Sequence, residues 1–166
     1  MGYLWCFLKI WQGSPNGRER FSVLGALNAV THEVLCICTA GYINAWSVVD
    51  LLWILRKRYL QNGIPITLVL DNARYQRCYL VSGLAMLMGI ELLFLPPYSP
   101  NLNLIERYWK FVKKHVLAAK EYPTFEAFYQ AIESFVQTAH ISHEEQLKSL
   151  LTWNFQTLPE VSKIAA

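Results

Sequence analysis

The sequence feature that most constrains the fold is the five-residue apolar run from Ile66 to Leu70, which ends directly in Asp71. Because this run does not alternate polar and apolar residues, it predicts a strand covered on both faces, as in parallel sheets. The position after such a strand lies at the edge of the sheet where α/β proteins bind their ligands. We therefore expect a functional acid at Asp71, although an Asp at a strand end is also an ordinary turn former.

A second acid follows in a setting rich in Pro and Asn. Between Asp71 and Glu106 lie 34 residues, and the prolines of segment 96–100 prevent regular helix there. Asn101 or Asn103 can then cap a helix that carries Glu106 in its early turns. One acid at a strand end and one on a helix predict a site for Mg²⁺ or Mn²⁺, since these ions prefer hard oxygen ligands.

The rest of the chain predicts the element order β-β-β-α-β-α-β-α-α, which indicates a mixed α/β sheet with helices on its faces. The predicted strands are 1–10, 21–30, 33–39, 66–70 and 90–95; the predicted helices are 45–60, 74–88, a helix that reaches about 119, 125–139 and a turn or two at 147–151. A turn is expected at 12–20, and the segment from 153 onward is expected to be irregular. We expect one domain, with 1–120 as its core and 121–166 as a helical extension.

Composition excludes several classes of protein. The chain has 166 residues, of which 54% are hydrophobic, so it can bury a core and is not typical of a disordered segment. It shows neither an apolar run of the roughly 20 residues that a membrane span needs nor a secretory signal. The four cysteines lack paired spacing, which favours buried free thiols in a reducing cytoplasm. The net charge of +3 is compatible with nucleic acid but does not demonstrate it.

The residues around the two acids resemble those of a known family. The motifs are Asp-Asn-Ala-Arg at 71–74, Pro-Tyr-Ser-Pro at 97–100 and Asn-Leu-Ile-Glu at 103–106. They are similar to the DDE transposases of bacterial insertion sequences in the IS630/Tc1-mariner superfamily, and the spacing of the two acids matches as well. The resemblance implies a ribonuclease H-like catalytic domain that cleaves and joins DNA with two divalent ions.

Carried over residue by residue, the resemblance implies that Asp71 and Glu106 are catalytic metal ligands, the second and third carboxylates of a triad. The polar and basic residues that follow the two acids would contact DNA: Asn72, Arg74, Arg107, Lys110, Lys113 and Lys114. Asn72 and Arg74 would alternatively hold the loop after Asp71, as ordinary turn and helix-start residues. A basic helix edge beside a metal site can follow a DNA backbone, but the lysines also fit an ordinary solvated face. Trp109 and Phe111 are expected in the core.

The implied partners are transposon-end and target DNA in the bacterial cytoplasm and nucleoid. The family allows a homodimer, and we expect neither membrane attachment nor a small-molecule cofactor.

The sequence departs from the family pattern at its start. A DDE triad has its first carboxylate on the first, central strand, but no acid precedes Glu19 here. Glu19 lies in the predicted turn and Asp50 on a predicted helix, so neither suits that role. We therefore expect an N-terminally truncated chain that lacks the first strand and the region that recognises transposon ends. Segment 3–10 can occupy the vacated position; otherwise the chain is expected to aggregate.

Three hypotheses about function follow. The leading one is a transposase catalytic domain that is inactive alone because its first aspartate is missing. The alternative is a non-catalytic remnant that binds DNA or a transposase subunit. A third is another ribonuclease H-like nuclease such as a resolvase, against which the context of Asp71 and Glu106 argues.

Overall fold

The computed structural model describes residues 2–6, 9–10, 21–59, 65–97, 102–118, 120 and 122–155, with the backbone alone for 2–6 and 9–10. The strands are β1 (Gly2–Cys6), β2 (Lys9–Ile10), β3 (Phe21–Asn28), β4 (Val34–Thr39), β5 (Ile66–Leu70) and β6 (Ile90–Phe94). The helices are α1 (Ala45–Tyr59), α2 (Tyr79–Leu87), α3 (Leu104–Val112), α4 (Phe125–Ser142) and α5 (Glu144–Leu150), and a π-helical turn (Lys113–Leu117) continues α3.

These strands form one mixed sheet, which confirms the predicted fold class. β1 lies in the middle, antiparallel to β3 and parallel to β5, and β5 is parallel to β6. Cys6 is opposite Leu70, which is opposite Phe94, so β1, β5 and β6 end at the same edge. β1 overlaps segment 3–10, from which we expect a substitute for the central strand. Its sequence, Gly-Tyr-Leu-Trp-Cys, contains no acid.

Helices cover both faces of the sheet, as predicted. On one face, α1 and α2 bury aliphatic side chains, among them Val48, Leu51, Leu52 and Leu55. The helix α1 begins after Asn44, whose Oδ1 accepts hydrogen bonds from the N–H groups of residues 46 and 47 and caps its first turn. On the other face, α3, α4 and α5 bury a core rich in aromatic rings, including Phe21, Tyr108, Trp109, Phe111 and Phe128.

One glycine sets how closely α3 approaches the sheet. Trp109 is 1% exposed, and a Cβ added to Gly25 on β3 would lie 2.9 Å from its ring atom Cζ2. A side chain at Gly25 would therefore push the indole and its helix away from β3. Because Glu106 lies one turn before Trp109 on α3, this contact also fixes the position of that acid.

The structure corrects two helix boundaries. The helix expected at 74–88 starts only at Tyr79, because the preceding residues form turns closed by bonds from Gln76 N–H to the Ala73 carbonyl (3.0 Å) and from Arg77 N–H to the Arg74 carbonyl (3.2 Å). The helix expected to reach about residue 119 changes to a π-helical turn at 113–117, closed by Ala118 N–H on the Lys113 carbonyl (3.2 Å).

The other differences are smaller. Segment 1–10 holds two short strands rather than one, and α4 extends to Ser142. The turn expected at 12–20 lies outside the described residues, as do most of the 96–100 loop and the C-terminal 156–166.

Among the described residues, no helix is both long and apolar enough to span a membrane.

Candidate active site

Asp71 lies directly after β5, at the edge where the three parallel strands end. Side chains alternate along a strand, so Asp71 is the next position after Val69 on the face that α3 covers. Its Oδ1 accepts a hydrogen bond from the Ala73 N–H at 3.2 Å. Burial raises the pKa of Asp71, and the Ala73 N–H and the Gln76 amide only partly offset this. No cation in the described part of the chain contributes, so the carboxylate is half-buried without a compensating charge.

Gln76 was not expected at this site, because the sequence places it inside a helix. Its side chain is fully buried, at 0% exposure. Neither of its amide atoms makes a hydrogen bond of ordinary geometry with a described residue, although the amide lies close enough to Asp71 to lower the acid's pKa. The sequence signal that could have placed Gln76 at this site is its position five residues after an acid at a strand end, and this signal is weak.

Asn72 ties the two loops of the site together. Its Nδ2 donates to the Leu95 carbonyl, and the Leu95 N–H donates to the Leu70 carbonyl at 2.8 Å. The segment after β6 is thereby fixed beside the loop after β5. In this structure Asn72 therefore joins the two loops, and its contact with DNA stays a prediction. Arg74 is exposed on the turn, and its contact with DNA stays a prediction.

Glu106 lies in the first turn of α3 and is partly exposed. Asn103, one of the two candidate caps, takes the N-cap position, but its side chain makes no capping bond; only its carbonyl accepts the Glu106 N–H, at 3.2 Å. The Asn103 side chain is 3% exposed, and its Oδ1 has no hydrogen-bond partner in the described part of the chain. The helix packs against β1, the direct neighbour of β5, which Asp71 follows.

The described residues do not assemble a complete metal site. No three His, Cys, Asp or Glu side chains among them are grouped so as to hold a metal ion. Close in sequence to the two acids, buried amide atoms of Asn72, Gln76 and Asn103 have no hydrogen-bond partner in the described part of the chain. This polar surrounding is chemically suited to a hydrated cation, since each such atom is a potential ligand of ordered water.

The basic residues after Glu106 do not all lie on the same surface. Three of them, Arg107, Lys110 and Lys114, line a groove of about 790 Å³ between α3 and α5. The other side chains that line this groove are Phe111, His115, Glu145, Gln146, Ser149 and Leu150. Lys113 is exposed but does not line this groove.

Arg107 makes structural contacts that the sequence did not predict. Its two terminal nitrogens donate to the carbonyls of Thr152 (3.0 Å) and Asn154 (3.2 Å), and its guanidinium lies over the Phe155 ring at 5.6 Å. Arg107 therefore holds the C-terminal segment against α3. Phe111 and Trp109 are buried, as expected of core residues.

The central strand, the parallel pair beside it and the helices on both faces define an α/β domain with the ribonuclease H-like fold. Solved structures share this fold. The Mos1 transposase catalytic domain with raltegravir and Mg has a TM-score of 0.67 and 15% identity, covering 94% of this chain and 85% of that chain. The Mos1 mariner transposase catalytic domain gives 0.59 and 15%, covering 93% and 83%. The catalytic core domain of BIV integrase gives 0.55 and 16%, covering 89% and 93%.

The family follows from the sequence itself. A model of the DDE superfamily endonucleases matches residues 12–129, and the chain belongs to that family. The predicted resemblance to a DDE transposase of the Tc1/mariner type is confirmed, whereas the IS630 subgroup stays a prediction. No curated protein matches the chain at a significant level.

Proposed function

We propose that this chain is the catalytic domain of an insertion-sequence transposase, in which Asp71 and Glu106 are two of the three carboxylates that hold divalent metal ions for cutting and joining DNA, and that it is inactive alone without the third. The observation that carries the proposal is the Asp71 carboxylate, which is half-buried at the ligand-binding edge of the sheet with no described cation to neutralise it. A divalent ion would supply that charge. Such an ion, when bound, activates the attacking oxygen and neutralises the leaving group.

The residues around the acids fit Mg²⁺ or Mn²⁺. Both ions take oxygen ligands, and Mg²⁺ keeps several waters, so it needs few protein carboxylates. The Ala73 N–H orients Asp71, and the Gly25–Trp109 contact positions the helix that carries Glu106. Mg is present in the Mos1 catalytic domain structure, which shares this fold. For this chain, metal binding is part of the proposal.

We propose further that a DNA backbone follows the groove between α3 and α5. Lys110 and Lys114 face this groove one and two turns after Glu106, where they can contact phosphates. Lys113 lies outside it, and Arg107 already binds two backbone carbonyls. The two lysines of the groove are therefore expected to contribute more to DNA affinity than Lys113 or Arg107.

A second candidate function rests on the sequence of β1. A DDE site uses three carboxylates, and the central strand of this sheet carries none. We propose that the 166-residue polypeptide alone binds DNA without cleaving it, as a non-catalytic partner would. The proposed DNA-binding groove between α3 and α5 does not depend on a carboxylate in β1.

Nicking of supercoiled plasmid in Mn²⁺ tests whether the active site is complete, and fluorescence anisotropy of a labelled duplex tests DNA binding. We expect DNA binding without nicking. Nicking that Asp71→Asn or Glu106→Gln abolishes would show a complete active site and overturn the proposed inactivity. Absence of DNA binding would contradict both candidate functions.

The groove is tested with matched lysine variants. Lys110→Gln and Lys114→Gln should each weaken duplex binding and lower the slope of log K against log salt by about 0.9, the value for one lost phosphate contact. Lys113→Gln is the control and should change the slope much less. Equal losses at all three positions would contradict a path along the groove.

A further inference from the structure

Two cysteines on β4 form a thiol pair that the proposed DNA chemistry does not use. Cys36 and Cys38 are separated by one residue of a strand, so their side chains lie on the same face of the sheet. Both pack against the aromatic core on the α3–α5 face, whereas Leu35 and Ile37 pack on the opposite face. Both are free thiols and partly exposed. A small ion can therefore reach two neighbouring sulfur atoms here.

The two sulfur atoms are already in contact with each other. The Cys38 thiol donates a side-chain hydrogen bond to the Cys36 sulfur, which lowers the pKa of Cys36. The Glu133 carboxylate on α4 lies close enough to act on both thiols electrostatically. The pair is thus a preformed dithiol beside a negative charge, and this setting favours a bound cation.

The spacing of the pair along β4 favours a metal ion over a disulfide. Alternate residues of an extended strand have Cα atoms about 6.8 Å apart, at the upper end of what a disulfide spans. Closing that bond would disturb the pairing of β4 with β3, in which Cys36 is opposite Gly25 and Cys38 is opposite Val23. One ion with metal–sulfur bonds of about 2.3 Å joins sulfurs up to about 4.6 Å apart. Sulfurs that share a hydrogen bond lie within that span.

The number of ligands selects the ion. Within the described ranges, no third His, Cys, Asp or Glu side chain joins the pair in a group that could hold a metal. A structural Zn²⁺ site uses four protein ligands, so the pair does not make one. Thiolates select soft ions such as Cu(I), and Cu(I) forms stable complexes with two sulfur ligands in line.

We propose that Cys36 and Cys38 form a two-coordinate binding site for Cu(I). Each thiol releases one proton as its sulfur binds, so one Cu⁺ and two thiols give an S–Cu–S unit of charge −1 and two protons in solution. Copper enters and stays as Cu(I), so no electron is transferred. The site is separate from the proposed catalytic acids, because β3 and β1 lie between β4 and β5, which Asp71 follows.

Competition with the coloured Cu(I) chelator bicinchoninate tests the proposal on the 166-residue chain, with ascorbate present and oxygen excluded. We expect one tightly bound Cu(I) per chain. Cys36→Ser and Cys38→Ser should each weaken binding by about 100-fold or more, because the second sulfur of a chelating pair acts at a high effective concentration. Cys78→Ser is the matched control. This thiol is also partly exposed but packs on the other face of the sheet, so its removal should leave the affinity unchanged.

Alkylation with iodoacetamide, mapped by mass spectrometry, tests the same site in the parent chain without any substitution. Cu(I) should protect Cys36 and Cys38 and leave Cys78 reactive. Zn²⁺ at equal concentration should not displace the Cu(I). A parent chain that does not compete with the chelator, parent-like binding by a folded Cys36→Ser or Cys38→Ser variant, protection of Cys78 in place of the pair, or displacement by Zn²⁺ would each overturn the proposal.

Discussion

The two faces of the sheet use aromatic residues in opposite ways. On the α3–α5 face, large rings such as Tyr108, Trp109 and Phe128 are buried. On the α1–α2 face the core is aliphatic, and the tryptophans at 46 and 53 are exposed to solvent. Buried rings fix a helix in place because they have few rotamers and large contact areas. One face is therefore built to position α3, whereas the other leaves two indoles exposed.

Because of this difference, a change on one face of the sheet is expected to affect both stability and metal binding, and a change on the other face stability alone. Glu106 depends on the packing of α3, while Asp71 depends on the pairing of β5 and on the hydrogen bonds of its loop. Changes under α3 should therefore affect both stability and metal affinity. Changes under α1 should affect stability alone.

Trp109→Ala is expected to have the largest effect. Removing this buried indole should cost about 3–5 kcal/mol of unfolding free energy. It should also weaken Mn²⁺ binding in the fraction that remains folded. Urea unfolding measures the first quantity, with the exposed Trp46→Ala as the control. A variant as stable as the parent would show that α3 is not seated by this ring.

Leu52→Ala tests the opposite face. This side chain is fully buried under α1, and its truncation should cost about 2–4 kcal/mol. Because α1 carries neither acid of the site, Mn²⁺ affinity measured well below the unfolding temperature should not change. A parallel loss of metal affinity would contradict the separation of the two faces.

Gly25→Ala should have a smaller effect on stability but a clear effect on the site. The added methyl group meets the Trp109 ring, and such overpacking costs about 1–3 kcal/mol. Gly83→Ala on α2 is the matched control: its added Cβ meets nothing within 4 Å, so it should stabilise the helix by about 0.5–1 kcal/mol. Only the first variant should weaken Mn²⁺ binding.

Asp71→Asn should give the smallest change, and its sign depends on pH. The pKa of Asp71 is raised in the folded state, so the ionised form is penalised relative to the unfolded chain. This penalty is fully present above the folded-state pKa and disappears as pH falls below the ordinary value of 3.8. Without added metal, the variant should therefore melt at a higher temperature than the parent at neutral pH, and the gain should vanish near pH 3.8. The exposed Asp50→Asn should show no such gain.

The sequence predicted the parts of the fold that depend on local pattern. The bounds of β5 are those expected, because an uninterrupted apolar run followed by an acid leaves little choice of register. The predicted start of α2 was wrong because the turns after Asp71 are closed by the Asp71 side chain and by nearby carbonyls. These hydrogen bonds compete with helix formation. Helical periodicity alone does not reveal that competition.

The contacts that position the site could not be predicted, because they join residues far apart in the sequence. Gly25 meets Trp109 across the interface between sheet and helix, and Arg107 reaches the carbonyls of Thr152 and Asn154. The motif around Glu106 indicates the family of the chain and the acid that the site uses at this position. Only the packed structure shows that this acid depends on a glycine in β3.

Mn²⁺ binding by electron paramagnetic resonance tests the central claim most directly, with the parent chain compared against Asp71→Asn, Glu106→Gln and Asp50→Asn. The account predicts that the parent and Asp50→Asn bind the ion equally, since Asp50 is the only other aspartate and lies on α1. Each of the other two variants should lose affinity by about tenfold or more. Parent-like binding by both of them would show that these two acids do not hold the metal.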